Sequence, residues 1–433
     1  MKTKCLVLFV ILIATGFSQW LETTIALPGP GDQLDALCYN SRDNKVYCLY
    51  HGGEIAVISG SSNRVNNVIT GNHSRPLCYN PTNNKVYVLS NGACDSISII
   101  DGATDVTLTT LAAGGVPLDF CYNPTNNKVY CTLRDGRVVT IDGVTDSIGA
   151  VDSLGYIYPS QLCYNPTNNK VYCTNQQPLP GLISVIGCDR DSLLMTVQVG
   201  GFPQGPCYNP VNNKVYYANA GNNSISIIDG AVDSVVATVV VGEEPRFLCY
   251  NPVNNKVYCT NTADGSVSVI KGVTDSVGAV LAVGARPIFL CYNPTNNKVY
   301  CTSGSGVSII KGGTDKVDTT IALGLNSTDM VHNPVQNRVY VMNRDGFSIS
   351  VIRDHPVAIK ENEPLSHQHQ PLIVTIVRKI IQLNSRESAS LIDINGRRVA
   401  TLVPGANDIR HLKPGIYFLR FTGEKNVRKV IVL

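Results

Sequence analysis

The sequence predicts an all-β protein, a propeller of eight four-stranded blades followed by a small β-sandwich, on three observations. One motif recurs about every 42 residues, its apolar stretches are short and rich in Val, Ile and Tyr, and one strand is missing from the last repeat while a matching one stands before the first. The motif reads Cys121-Tyr-Asn-Pro-Thr-Asn-Asn-Lys-Val-Tyr-Cys131 in one copy, and its first Asn falls at positions 40, 80, 123, 165, 209, 251, 293 and 333. That period fits a four-stranded blade or a pair of helices of the HEAT type. Pro, paired Asn and Gly at fixed places in every unit exclude the helical option, because they interrupt helices and build turns.

Residues 1–18 read as a secretory signal. Lys2 and Lys4 form a basic start, the stretch from Leu6 to Ala14 is a short apolar run, and Gly16 and Ser18 suit cleavage just before Gln19 or Trp20. The uncharged run from Cys5 to Gln19 is marginal for a bilayer that needs about 20 apolar residues, so no membrane span is expected after cleavage. Cys5 lies too early in the run to be a lipid-modified N-terminal cysteine. A soluble, monomeric mature protein, secreted or held at a cell surface, is the expectation.

The propeller region is 19–354, and its sixth unit shows the strands plainly. Arg246 to Tyr250 is a first strand, apolar on both faces, as a strand packed between two neighbouring blades must be. Asn251-Pro-Val-Asn-Asn255 is a turn whose Asn residues tolerate left-handed backbone. Lys256 to Asn261 returns as the second strand, Ser266 to Ile270 is the third, and Ser276 to Val283 is the fourth. After Ile352 no fourth strand follows, yet Glu22-Thr-Thr-Ile-Ala-Leu27 nearly repeats Asp318-Thr-Thr-Ile-Ala-Leu323, an outer strand. Residues 20–28 are therefore expected to cross to the last blade and complete it, which leaves no open sheet edge there. Were a terminal set degenerate, the ring would have seven blades.

Residues 355–371 are polar, with three His and three Pro, and read as a linker in which His367 and His369 lack a rigidly placed third ligand for a metal. In 372–433, five short strands at 372–383, 388–394, 399–403, 415–421 and 428–432 make the small sandwich. Charge divides the same way. From Pro371 to Leu433 there are eleven Lys/Arg and four Asp/Glu, net +7; removing these and the two signal lysines from the overall +3 leaves −6 for residues 19–370. A mildly acidic repeat region excludes a nucleic-acid partner, which requires a basic stripe.

Two resemblances follow from these residues. The units, with Lys256-Val-Tyr-Cys-Thr-Asn261, Ser266-Val-Ser-Val-Ile-Lys-Gly272, Thr274-Asp-Ser-Val277 and Val236-Ala-Thr-Val-Val-Val-Gly242, resemble the YVTN family of β-propeller repeats of bacterial and archaeal surface and exported proteins. The Asn-Pro-Thr-Asn-Asn turn replaces that family's usual serine-proline-aspartate-glycine turn, which changes a loop only. The strings Leu391-Ile-Asp-Ile-Asn-Gly-Arg-Arg-Val399, Gly405-Ala-Asn-Asp408 and Leu412-Lys-Pro-Gly-Ile-Tyr-Phe-Leu-Arg420 are similar to the C-terminal sorting domain of type IX secretion cargo, without its proline-asparagine-proline opening. That resemblance implies the secretion machinery as a partner, export through the periplasm, and cleavage or surface attachment afterwards. A plain sandwich domain that only stabilises the propeller is the alternative.

Cysteines and candidate site residues complete the reading. Fourteen cysteines follow the signal, and five pairs such as Cys249/Cys259 flank the first hairpin, where they would face each other and invite disulfides in an exported protein. Val88 and Tyr217 replace the second member in two units, and directly opposed positions strain a bridge, so buried free thiols are preferred; the spacing does not suit zinc. No catalytic motif is present. What varies between units lies just before the first strand, where Arg75, Asp119, Gln161, Gln204, Arg246, Arg286 and Asp329 are expected on loops at one mouth of the central channel, as candidate contacts for a protein, peptide or glycan. No cofactor or metal is assigned. Because some propellers with related repeats hold a metal at the mouth, a metal-dependent hydrolase or lactonase-like enzyme stays open beside the noncatalytic binding or structural role. The inner strands offer mainly Cys, Tyr, Leu and Phe, with His332 as a Tyr substitute in packing, which favours binding.

Overall fold

Each of the first seven repeats folds into an antiparallel sheet whose four strands run in sequence order from the hub outward. The computed structural model describes residues 19–28, 33–50, 52–90, 95–155, 158–175, 179–304, 306–323 and 326–354, and then 375–377, 380–383, 389–393, 397–403, 405–409, 412, 415–421 and 427–432. Residues 1–359 and 360–433 form separate units, divided within the expected linker. The signal residues and the linker histidines lie outside the described residues.

Among the described residues there are eight blades: 34–69, 73–112, 117–153, 159–198, 203–240, 245–282, 290–322, and 327–354 completed by 19–26. The innermost strands touch one another around the ring, and the last touches the first. Burial explains the strand composition. In the sixth blade the second strand, Lys256–Asn261, and the third, Ser266–Lys271, are buried on both faces, while the outer strand, Ser276–Ala282, alternates between exposed and half-buried. A central strand between two blades has no solvent face, so both its residue sets are apolar or small.

The closing strand, Gln19–Ala26, pairs antiparallel with Ser348–Asp354, the third strand of the last blade, as expected from its likeness to an outer strand. Ile25 and Leu27 bury themselves there with Tyr340, Met342 and Ile349. The Gln19 amide donates to the Asp354 carboxylate at 3.0 Å. Because the first and last repeats both build complete blades, the ring has eight and not seven.

Neighbouring blades are joined by one polar unit copied around the ring. The lysine that opens each second strand reaches an Asp in the turn before the next blade's outer strand: Lys45 to Asp105 at 2.9 Å, Lys85 to Asp146 at 2.7 Å, Lys170 to Asp233 and Lys256 to Asp315 at 2.5 Å, with Lys128 to Asp191 and Lys214 to Asp275 equivalent. The tyrosine two residues on donates to the same carboxylate in most copies, as Tyr172 does to Asp233 at 2.6 Å. Lys298, Tyr300 and Asp354 form a copy with Lys298 1% and Asp354 0% exposed. Deeper in, the first Asn of seven motifs donates to the left-handed turn Asn of the next blade, from Asn80 to Asn127 at 2.8 Å round to Asn333 to Asn44 at 2.8 Å; Asn40 instead donates to Asp43 and to the Gly102 carbonyl.

At the seam between last and first blades the unit changes. Asn63 stands where the others have Asp, and it receives the Tyr340 hydroxyl at 2.6 Å. Arg338 replaces lysine, forks onto Glu22 of the closing strand with both bonds at 2.6 Å, and gives its remaining nitrogen to the Gly60 carbonyl of the first blade at 2.7 Å. One guanidinium thus holds the closing strand and the first blade together, which a lysine's single ammonium cannot do with the same geometry.

Two expectations need correction. The sixth first strand begins at Pro245, one residue earlier than expected, because Pro245 pairs with Asn261 across a bulge. The paired cysteines do not face each other: Cys249 lies opposite Tyr258 and Cys259 opposite Leu248, and this one-residue offset puts the two thiols on opposite faces of the sheet. The thirteen described cysteines are free and buried or half-buried. Burial pushes their thiols up, Cys188 to about 11 and Cys38, Cys163 and Cys249 to about 12.

In the second unit, a five-stranded sheet takes Thr375–Val377, Val427–Val432, Gly415–Phe421, Ala389–Asp393 and Arg398–Leu402 in spatial order, and Ile380–Leu383 pairs with Gly405–Asp408 in a second, two-stranded sheet. The expected strand 372–383 is thus split between two sheets, and Gly405–Asp408 is a strand beyond those expected. Leu391, Leu402, Ile409 and Tyr417 form its core.

Deleting residues 19–28 is expected to leave the Ser348–Asp354 edge open and to unfold or aggregate the protein; calorimetry and size-exclusion chromatography check this. The Arg338 bonds and charge hold the Glu22 carboxyl below its ordinary value. That stabilisation is fully present above the unfolded pKa of about 4.3 and is lost as pH falls through the depressed folded value. Melting temperature followed from pH 7 to pH 3 should therefore fall less steeply in Glu22→Gln than in the parent. Iodoacetamide at pH 8 should leave the described thiols unmodified in the native protein and alkylate them all in guanidinium without reductant, as read by mass spectrometry.

Candidate functional site

The mouth of the channel is built from the starts of the innermost strands and the ends of the second strands, and repetition decides which side chains are free there. Six of the seven candidate residues lie within the innermost strands rather than on the loops before them: Arg75 in His73–Asn80, Asp119 in Pro117–Asn123, Gln161 in Pro159–Asn165, Gln204 in Pro203–Asn209, Arg246 in Pro245–Asn251 and Asp329 in Ser327–Asn333. The strands begin earlier than the apolar pattern suggests because the residue before each bulge still pairs with the second strand. Only Arg286 precedes its strand, and it is exposed.

Asp119, Gln161 and Asp329 occupy equivalent positions, four before the motif Asn, and each accepts a backbone N–H from the next blade. Asp119 takes that of Leu162 at 2.9 Å, Asp329 that of Leu37 at 2.9 Å, and Gln161 that of Gly205 at 2.5 Å. Burial pushes the Asp119 carboxyl up to about 7, although the N–H groups of Leu162 and Phe120 pull the other way. Burial likewise raises Asp329 to about 6, opposed by the N–H groups of Leu37 and Met330 and by the charge of Arg75. These carboxyls are clips between blades as well as channel lining.

The structure does not bring the seven together. Arg75, Asp119 and Gln161 share one recess of about 600 Å³ over the second, third and fourth blades, lined also by Arg134, Tyr158 and Ser160. Arg246 instead pairs with Glu244 of its own blade, and the Gln204 amide donates to the Pro245 carbonyl at 3.4 Å. Among the described residues, neither Arg75 nor Arg134 makes a hydrogen bond or ion pair through its side chain, and both are exposed.

Sequence reasoning missed Arg134 and Tyr158. Arg134 follows the second strand of its blade, and Ala220, Thr262, Gly304 and Arg344 hold the equivalent position, so this stretch varies as freely as the one considered. Tyr158 has φ 62°, and Phe202, Glu244 and Arg286 at the same place in later blades have φ 52°, 54° and 52°. The repeat's loop imposes left-handed backbone there, and Tyr158 is 47% exposed. The Tyr158 N–H bonds the Arg134 carbonyl at 3.1 Å, which seats the two side by side.

Asn175, Asn219, Asn261 and Asn343, which end second strands, chiefly donate to third-strand serine hydroxyls; Asn261 reaches Ser266 and Ser268, both at 2.9 Å. His332 meets Asn337 at 3.4 Å where Tyr292 meets Asn297 at 3.4 Å, so it does stand in for tyrosine. Among the described residues no three His, Cys, Asp or Glu side chains gather to hold a metal ion.

The architecture defines an eight-bladed β-propeller. It is similar to the computationally designed Ika8 protein, whose crystal structure matches with a TM-score of 0.60 and 16% sequence identity over 76% of this chain and 98% of that one. The likeness shows the fold alone. No family model matches the chain, and no curated protein does.

Asp119→Asn tests the electrostatics of the recess. The folded carboxyl binds its proton more tightly than the unfolded one, so its ionisation weakens the fold as pH rises from about 4 to about 7. The amide keeps an oxygen for the Leu162 N–H without titrating. Its melting temperature should match the parent's at about pH 3.5, below both values, and exceed it by a margin that grows from there to about pH 7 and persists above.

Proposed function

We propose that this chain is an exported, noncatalytic propeller of the YVTN type that binds a ligand at the channel mouth, with its C-terminal module serving as a type IX sorting tag. One observation carries the binding reading: three exposed side chains that differ from blade to blade, Arg75, Arg134 and Tyr158, gather in one recess, whereas the repeated polar residues are consumed in joining blades. A recess of about 600 Å³ lies within the usual range for small-ligand sites, about 300–1,000 Å³. The basic, apolar and small-residue succession of 1–18 supports export, and the ordered strings from Leu391 to Arg420 support the tag.

The test is a glycan and peptide array probed with the mature protein and with Arg134→Ala plus Tyr158→Ala. A hit lost in the double variant supports the reading, and a hit indifferent to it places the ligand elsewhere. For the tag, deletion of 372–433 in a bacterium with type IX secretion should trap the protein in the periplasm, and unchanged export refutes the assignment.

A further inference from the structure

Apart from Asp119, whose carboxyl is engaged by the next blade, the long polar side chains facing the recess are donors. The guanidinium groups of Arg75 and Arg134 are unpaired among the described residues. Gln161 commits its oxygen to the Gly205 N–H, leaving its amide hydrogens to point at a ligand. Two of the acidic groups nearby are answered within the protein: Asp135 is bound by the Arg137 guanidinium, at 2.9 Å from Nε and 2.5 Å from Nη2, and Asp119 holds the Leu162 N–H, while Asp95 lines an adjoining recess with Arg134 and Tyr158. A donor-rich recess with two guanidinium groups that make no direct ion pair among the described residues, Arg75 feeling only the nearby charge of Asp329, suits a ligand rich in acceptors that carries negative charge.

Backbone chemistry separates the ligand classes. An extended peptide binds by adding a strand, which requires free main-chain N–H and C=O groups along an edge. Here the candidate N–H groups are capped by side chains: Leu162 by Asp119, Gly205 by Gln161 and Gln161 itself by the Thr174 hydroxyl at 2.8 Å. What remains exposed is a flat aromatic ring, Tyr158, held beside Arg134 by the bond between the Tyr158 N–H and the Arg134 carbonyl. An aromatic face presents an apolar surface to the C–H face of a sugar ring, while guanidinium forks match carboxylates.

We infer that the recess over the second to fourth blades binds an acidic saccharide, one sugar face lying on Tyr158 and its carboxylate received by Arg75 and Arg134. The inference rests on the reading of the mouth as a binding surface. It makes Arg134 and Arg75 the source of charge preference and Tyr158 the source of saccharide affinity.

Calorimetric titration of the mature protein with tetragalacturonate, with the same tetrasaccharide after reduction of its carboxyl groups, and with penta-aspartate tests it. Tetragalacturonate should bind at least about tenfold more tightly than either other probe, a free-energy difference of about 1.4 kcal/mol. Arg134→Ala should remove the preference over the reduced sugar, and Tyr158→Ala should weaken both sugars about equally. Equal binding of the two sugars, still lost in Tyr158→Ala, overturns the acidic preference and leaves the mouth as the binding surface. Tighter binding of penta-aspartate overturns the saccharide class. Sugar binding unchanged in both variants overturns the site and the reading beneath it, and no binding of any probe overturns this inference while the array result stands on its own.

Discussion

A blade of this propeller has two apolar faces and cannot exist alone, so the whole structure depends on how each blade grips the next. Apolar packing between blades supplies area without register. Register comes from the lysine, aspartate and tyrosine that meet across nearly every interface, as Lys170, Asp233 and Tyr172 do, and from the asparagine ring beneath them. The pairs are mostly half-buried, where a lone exposed ion pair is worth little but a shared carboxylate with a phenol and an ammonium has its lone pairs occupied. The turn that presents each Asp takes left-handed backbone, φ 50° at Asp275 for example, a conformation Asp tolerates better than most residues.

Closing such a ring poses a different problem, because the two ends of the repeat array must recognise each other across more than 300 positions of chain. The solution is a change of residue at the seam. Arg338 does the work of a lysine toward the first blade and also forks onto Glu22, and the buried Asp354 gathers Lys298, Tyr300 and Gln19. The closing strand is therefore specified by polar contacts as well as by its alternation of Ile25 and Leu27 into the core.

A repeat that uses its conserved-looking polar residues to bind itself leaves few for anything else. The variable positions at the mouth escape this, yet several of them turn out to be clips: Asp119, Gln161 and Asp329 hold the next blade's backbone. The exposed residues that come together to meet a ligand are fewer and lie over the second to fourth blades, while Arg286 stands apart before the seventh. The asymmetry is set by Tyr158, Arg134 and Arg75, three side chains from three blades that no single unit reveals.

The sequence by itself determined the blade and the strand exchange and left the count at eight or seven, because each follows from local period and alternation: the likeness of residues 22–27 to 318–323 needs no coordinates to be read, while complete terminal blades in the fold decided for eight. Tertiary structure decided the rest. Whether Cys249 faces Cys259 depends on a one-residue offset in pairing, whether Asp119 is a site residue or a clip depends on the neighbouring blade, and whether Arg75 meets Arg246 depends on their places around a ring. These are relations between residues tens of positions apart, fixed by how sheets pack rather than by any property of the segment that carries them.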